Sequence, residues 1–256
     1  MQTDESGYLS PAGTLVFAHR GLAGPAAPEN TLAAFENALK AGATHIETDI
    51  QVTKDGVAVL FHDDDLRRVV GISKRVQELS LADLQAIDLD GQTIPTLEEA
   101  LKAFPAARFN LDIKTEGAIV PAVETILATQ AAGRVLVSSF SKERRVSALG
   151  LLSQAGARVA TSADGRVILS LVWASLTNNF ESFRQRSLGL AALQIPTSYF
   201  GLSLTSRRML DFAKRAGVQI HYWVINDASR MKELVALGAS GIVTDRADLA
   251  VLALRP

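Results

Sequence analysis

The sequence contains no cysteine, which rules out a disulfide framework and a thiolate metal centre together. Charge of one sign is also missing in excess. Lys and Arg number 26 against 27 Asp and Glu, a formal net charge of −1, so there is no electrostatic footprint for nucleic acid or an anionic membrane surface. Long apolar runs are absent as well. The longest nearly apolar stretch, residues 168–176, is interrupted by Ser170 and Ser175 and falls far short of the ~20 residues a spanning helix needs. The first residues, MQTDESGYLSPAG, lack the basic start and apolar centre of a signal peptide. The expectation is a soluble, cytoplasmic protein with no stable membrane anchor. No Gly-rich nucleotide loop follows the first apolar run, which weakens a doubly wound open sheet. Neither a domain linker nor a low-complexity segment breaks the chain.

What is present is a regular alternation. An apolar run at 15–18 ends on His19-Arg20-Gly21 and reads as a buried strand with a sharp exit at glycine. Asn30 or Thr31 caps a helix through Lys40, with Leu32, Phe35 and Leu39 on one face, and Gly42 stops it. The strand at 45–51 places His45, Glu47, Asp49 and Gln51 on one face and Ile46, Thr48 and Ile50 on the other. Thr53-Lys54-Asp55-Gly56 is a hairpin turn, and 57–61 returns to deliver His62. Residues 63–95 differ: they are charge-rich, with sparse apolar positions at Leu79, Leu81, Leu84 and Ile87, and read as a small inserted subdomain. Thr96 then caps a helix. Strands are predicted at 108–114, 135–139, 158–161, 190–195, 219–224 and 241–244, and helices at 117–131, 142–154, 165–176, 206–216, 228–236 and 247–254, with a loop at 178–187. Eight βα units in a chain of 256 residues predict an α/β fold, a (β/α)8 TIM barrel with a small insertion after the second barrel strand, forming a single domain over 1–256.

Catalytic groups of such a barrel project from the C-terminal strand ends. Those ends carry His19 and Arg20, Glu47 and Asp49, His62, Asp112 and Lys114, Ser139, Gln194, Trp223 and Asn226, and Asp245. Three carboxylates together, Glu47, Asp49 and Asp112, repel one another and call for a cation. An all-oxygen donor set favours a hard ion, Mg²⁺ or Ca²⁺. The alternative is that Glu47 and Asp49 form separate ion pairs with barrel lysines. His19 and His62 are the natural acid–base pair, since imidazole titrates near neutral pH. His45 lies deeper and reads as structural, and His221 as a core or supporting group. Arg20 and Lys114 suit an anionic substrate, or neutralise the carboxylates, or do both. Trp223 offers an apolar wall for a carbon skeleton, its alternative being core packing.

Taken in order, HRG at 19–21, PENT at 28–31, ETDIQVTKDG at 47–56, FHD at 61–63, NLDIK at 110–114, LQIP at 193–196, YWVIND at 222–227 and GIVTDRADL at 241–249 resemble the glycerophosphodiester phosphodiesterase family over nearly the whole chain. The resemblance implies metal-dependent hydrolysis of a small-molecule glycerophosphodiester to sn-glycerol 3-phosphate and an alcohol. By the same motifs, His19 and His62 become catalytic and Glu47, Asp49 and Asp112 hold the divalent cation. Arg20, Glu29, Asn30, Lys114 and Trp223 fall among the substrate-binding groups, with Glu29 orienting a neighbour. Two departures stand out. The third ligand is commonly Glu in an E-x-K pattern and here is Asp112 in D-x-K. The stretch DDDLRRVVG at 63–71 replaces the commoner D-x-T-L-x-R-T-T-G. A lysophospholipase D-type activity on lipid diesters is the enzymatic alternative, and residues 168–176 would be its mark if they face the active rim. A non-catalytic phosphate-binding barrel would lack a histidine or a carboxylate, and none is missing. A zinc amidohydrolase would want H-x-H on the first strand. Monomer and dimer both remain open. Residues 168–176 have no charged face and need cover from a neighbouring helix, the 178–187 loop, a second subunit or a lipid-like substrate.

Overall fold

The apolar runs become strands buried on both faces, as parallel barrel strands must be when helices cover their outside. The structure, a computed structural model, describes residues 7–9, 13–199 and 201–254. Strand β1 (Leu15–His19) leads to α1 (Leu32–Ala41), whose cap Thr31 accepts a hydrogen bond from the backbone N–H of Ala34. β2 (His45–Val52) turns back antiparallel into β3 (Ala58–Leu60), pairing Ile50 with Leu60 and Val52 with Ala58. The insertion carries α2 (Arg67–Val70) and α3 (Leu81–Gln85) before α4 (Leu97–Ala103), which Thr96 and Glu99 close with a reciprocal capping box. Then come β4 (Phe109–Ile113), α5 (Ile119–Ala128), β5 (Val135–Ser138), α6 (Lys142–Gln154), β6 (Ala160–Thr161), α7 (Gly165–Leu176) and α8 (Phe180–Arg186). The chain ends with β7 (Ala192–Ile195), the hairpin β8 (Ser198–Tyr199) and β9 (Leu202–Ser203), α9 (Arg207–Ala216), β10 (Gln219–Tyr222), α10 (Ala228–Leu237), β11 (Gly241–Thr244) and α11 (Ala247–Leu254).

Eight of the described strands run parallel in the order β6-β5-β4-β2-β1-β11-β10-β7, and a parallel bridge between Ser162 and Ala192 joins the two ends. This is the expected (β/α)8 barrel, with β3 as the antiparallel excursion and the insertion following it. At the N-terminal end of the barrel interior, Tyr8, Leu15, Phe17, Leu136, Ala160, Ala192 and Val243 form one apolar cluster. Phe17 lies between His45 and His221, with ring centroids 4.4 Å and 4.5 Å away. A side chain at Gly241 would put its Cβ 2.8 Å from Phe17 and 2.9 Å from His221, so only glycine admits this stack. His45 is fully buried and its Nε2 lies 2.9 Å from the carbonyl of Tyr8. Both deep histidines therefore belong to the barrel floor.

The insertion has its own small core of Leu66, Val76, Leu79, Leu84, Leu89 and Ile94 against Val59 and Phe61. Its two ends meet at the base. The N–H of Leu60 donates to the carbonyl of Pro95 over 2.9 Å, and Val59 bridges Thr96.

The structure departs from the sequence expectation in three places. The 178–187 loop is largely the helix α8, which inserts Phe183 beside Phe212 at 5.6 Å. The hairpin β8–β9 was not anticipated. Several strands are shorter than expected, most of all 158–161, of which only Ala160–Thr161 pairs. On α7, Leu171, Val172, Ala174 and Ser175 are buried, while Leu169, Trp173 and Leu176 are 53%, 69% and 56% exposed. α7 starts at the C-terminal end of β6 and runs back along the barrel, so Trp173 and Leu176 lie away from the rim where catalytic groups gather. Among the described residues no helix is long and apolar enough to cross a membrane.

Candidate active site

Register aligns the strand ends first. Parallel pairing sets His19 opposite Glu47, Glu47 opposite Asn110 and Asp49 opposite Asp112, which levels the ends of β1, β2 and β4. Beyond β1 the chain makes a left-handed turn, with Arg20 at φ 57° and Gly21 at φ 87°. A Cβ on Gly21 would lie 2.7 Å from the backbone carbon of Ala34, so the second residue of the turn has to be glycine. The turn directs Arg20 inward. Its backbone N–H donates to the Glu47 carbonyl at 2.9 Å and to Glu47 Oε2 at 3.2 Å. Its guanidinium donates to Glu29 Oε1 at 3.0 Å, and its Nε stands 3.3 Å from Asp49 Oδ2 as an ion pair without hydrogen-bond alignment.

Asn30 is buried and also left-handed, at φ 59°. Its amide donates to Asp49 Oδ2 at 3.1 Å and accepts from the Thr48 hydroxyl at 2.7 Å. Grouped by motif with the substrate contacts, Asn30 gives its amide nitrogen to Asp49, and its oxygen is anchored by Thr48. Glu29 faces Arg20 and Arg68 rather than open cleft.

The three carboxylates are buried. Burial, with the charge of Asp49 beside it, pushes Glu47 up to about 8. Burial likewise raises Asp112. Asp49 is lowered: burial opposes its charge, but the Lys114 ammonium and Arg20 outweigh that cost. Lys114 Nζ bridges Asp49 at 2.8 Å and Asp112 at 2.7 Å, and its own pKa is raised by those charges against the effect of burial. Among the described residues, no three His, Asp or Glu side chains converge in ligating geometry. Of the lysine pairs weighed from the sequence for Glu47 and Asp49, that of Asp49 is present, and Asp112 shares the same lysine. This leaves Glu47 as the carboxylate short of positive charge.

The two rim histidines are held alike. His19 Nδ1 lies 2.6 Å from Asp245 Oδ1, and its Nε2 lies 3.9 Å from Glu47 Oε2. Burial would lower the His19 pKa, but the bond to Asp245 and the charge of Glu47 raise it on balance. His62 Nδ1 lies 2.6 Å from Asp63 Oδ1. With Nδ1 donating to a carboxylate, each neutral ring keeps its lone pair on Nε2. Asp245 is itself fixed: Asn226 donates to its Oδ2 at 2.7 Å, while Asn226 Oδ1 accepts from the Thr244 hydroxyl and the Asp245 N–H, both at 2.9 Å. His221, by contrast, is pushed down to about 3 by burial and the neighbouring His45, which makes it a neutral core group.

Trp223 is half-buried at the end of β10, where its backbone N–H donates to the Ile195 carbonyl at 3.2 Å. Phe140, 71% exposed, meets its ring edge-on at 6.1 Å and lies 5.8 Å from Lys114 Nζ. Phe140, Asp63 and Arg68 were not singled out from the sequence, and Asp245 was noted only as a rim residue. Asp63 bonds its neighbour His62, but Arg68 reaches Glu29 across 39 positions and His19 meets Asp245 across 226, separations that no local pattern records.

The profile of the Glycerophosphoryl diester phosphodiesterase family matches residues 19–249. A Mycobacterium tuberculosis protein named "Probable glycerophosphodiester phosphodiesterase 2" is 37% identical over 243 residues, 94% of this chain and 91% of its own. A human lysophospholipase D is 25% identical, with 89% of this chain and 82% of that protein covered. Among solved structures, an Oleispira antarctica phosphodiesterase in complex with the product sn-glycerol-3-phosphate superposes with a TM-score of 0.76 at 27% identity, covering 96% of this chain and 98% of that one. With barrel, rim and motifs in agreement over nearly its whole length, the chain belongs to the glycerophosphoryl diester phosphodiesterase family.

Proposed function

We propose that the chain hydrolyses glycerophosphodiesters to sn-glycerol 3-phosphate and an alcohol, with His19 and His62 as the acid–base pair. One observation carries this reading. Two histidines at the same barrel end each give Nδ1 to a carboxylate, beside a buried group of acids and two cations. Arg20 and Lys114 are the donors suited to the phosphodiester oxygens, drawing off charge as it builds. One histidine takes the proton of the attacking hydroxyl at Nε2, and the other gives a proton from Nε2 to the leaving alkoxide. Asp245 and Asp63 hold the rings in the tautomer this requires and stabilise the imidazolium that forms. Trp223, extended by Phe140, walls the carbon skeleton.

The donor set fits a divalent cation. Glu47, Asp49 and Asp112 offer hard oxygens alone, and Glu47, raised to about 8 by burial and the charge of Asp49, is the group such an ion would relieve. Glu47, Asp49 and Asp112 would hold Mg²⁺ or Ca²⁺. When bound, the ion supplies Lewis-acid withdrawal of charge from the phosphoryl group.

A second reading, lipid diesters as substrates, is favoured by the exposure of Phe140 beside Trp223. The apolar residues of α7 do not support it, because they lie away from the rim. One experiment tests both. Release of glycerol 3-phosphate from glycerophosphocholine is compared with turnover of lysophosphatidylcholine, with EDTA and after adding back Mg²⁺ or Ca²⁺, in wild type, His19→Ala and His62→Ala. Each variant is expected to lose about 10²–10⁴-fold in kcat, and chelation to abolish activity reversibly. Near wild-type turnover in either variant rejects the histidine roles, and full activity after dialysis against EDTA rejects the cation.

A further inference from the structure

Arg68 stands on α2 of the insertion, outside the barrel, yet both of its acceptors belong to the site. Its Nε donates to Asp63 Oδ2 over 2.6 Å, and one terminal nitrogen donates to Glu29 Oε1 over 2.5 Å. Asp63 holds His62 through its other oxygen, and Glu29 Oε1 also accepts from Arg20. One guanidinium therefore joins His62-Asp63 to Glu29-Arg20, and Arg20 in turn stands against Asp49. We propose that Arg68 is a positioning residue through which the insertion sets His62 and Arg20 together.

An exposed arginine ion pair is ordinarily worth little, since water screens it and two long side chains must be ordered. Arg68 differs in what fixes it and what it holds. Leu66, two positions earlier, is fully buried in the core of the insertion, and the Asp65–Arg75 bridge closes the loop around it. Neighbouring Arg67 turns the other way and donates to Ser73. A planar fork holds its donors at separate edges, so Nε meets Asp63 while a terminal nitrogen reaches Glu29. Both acceptors respond. Burial would raise Asp63 and Glu29, but the hydrogen bonds from Arg68 and from His62 or Arg20 hold both below the ordinary carboxylate range. Both are thus kept as anions, the form that accepts from His62 Nδ1 and from Arg20. The departure of DDDLRRVVG from the commoner pattern therefore leaves the insertion's grip on the site in place.

The inference rests on the roles proposed for His62 and Arg20. Its test is Arg68→Gln, alone and with Asp63→Asn and Glu29→Gln. The single variant is expected to lose about 10–100-fold in kcat, the range found when a partner behind a site residue is removed, with KM raised through Arg20 and thermal melting unchanged. A cycle adds the diagnostic: in the Asp63→Asn/Glu29→Gln background, Arg68→Gln should cost no further activity within about two-fold. Proton NMR gives a readout that a merely structural role would not move. The downfield His62 Nδ1–H resonance, assigned by its loss in His62→Ala, should weaken or shift in Arg68→Gln. The inference is overturned by wild-type kcat, KM and resonance in Arg68→Gln, or by an equal loss in the background lacking both carboxylates. If His62→Ala and Arg20→Ala are also active, the site reading has failed. If those two are inactive while Arg68→Gln behaves as wild type, only the role of Arg68 falls.

Discussion

Replacing Asp245 by asparagine keeps the size of the side chain and reverses its hydrogen-bond logic. Asn226 is locked, because its oxygen already accepts from Thr244 and from the Asp245 N–H, so its NH₂ must donate to Asp245 Oδ2. In Asp245→Asn the new amide has to keep its oxygen toward Asn226. Its NH₂ then faces His19 Nδ1, 2.6 Å away in the wild type, and donor meets donor. The imidazole can move its proton to Nε2, which removes the acceptor lone pair, or swing out of place. A charge-assisted hydrogen bond contributes about 1.5–3 kcal/mol, and a lost acid–base group costs about 10²–10⁴-fold. Asp245 has a side chain 52% exposed, so water replaces part of the lost charge and about 10²-fold in kcat is expected. KM should change little, since Arg20 and Lys114 are untouched. The ordering of variants is the sharper test. Asp245→Ala presents no opposing donor and should be the milder of the two, although it removes more atoms. Steady-state release of glycerol 3-phosphate from glycerophosphocholine measures both. An Asp245→Asn variant within three-fold of wild type, or a more damaged Asp245→Ala, would refute the tautomer argument.

Two further expectations concern the scaffold. His221 is pushed down to about 3 in the folded chain against about 6.5 when unfolded. Between those values the unfolded state binds the extra proton, so stability falls as pH drops from about 6.5 toward 3, by about 1.4 kcal/mol per unit for this group at most. His221→Asn should be less stable at pH 7 yet flatter from pH 6 to 4, and urea melts with the same slope as wild type would contradict this. Gly21→Ala places a Cβ 2.7 Å from Ala34 at φ 87°, and the left-handed conformation alone costs about 1–2 kcal/mol. Melting should drop by about 2–8 °C with a larger loss of turnover as Arg20 is displaced, and unchanged melting and kinetics would show that the turn tolerates a side chain.

The barrel was readable because each unit repeats two periods, an apolar strand and an amphipathic helix, and because the order of polar strand ends matched one family throughout. What escaped was short or distant. α8 spans only Phe180–Arg186, too few residues to express a helical stripe, and its reason for existing is Phe183 against Phe212, a tertiary contact. The β8–β9 strands are two residues each and exposed, so no alternation marks them. His19 and Glu47 could be placed because register follows from strand pairing. Asp245, Asp63 and Arg68 act through side-chain reach, and alternation along a strand carries no information on that. A lysine paired with Asp49 was foreseen as an alternative, whereas the duty of Asn30 toward Asp49 was not.

The closed base of the insertion has a consequence for how freely this region can be redrawn. Because Leu60 and Pro95 are hydrogen-bonded and Val59 bridges Thr96, everything between them leaves and re-enters the barrel through one doorway. To the scaffold the outer part of such a segment, beyond the core that packs on Val59 and Phe61, is an exchangeable cassette. Lengthening it costs only loop-closure entropy, about 0.6 kcal/mol for each doubling, and β2 and α4 need not move to accommodate it. The freedom is in length and surface alone. A replacement grafted beyond Asp63 would keep His62 in place, yet it would serve the rim only if it covered Val59 and Phe61 again and returned a fork of positive charge to the place where Asp63 and Glu29 now share one.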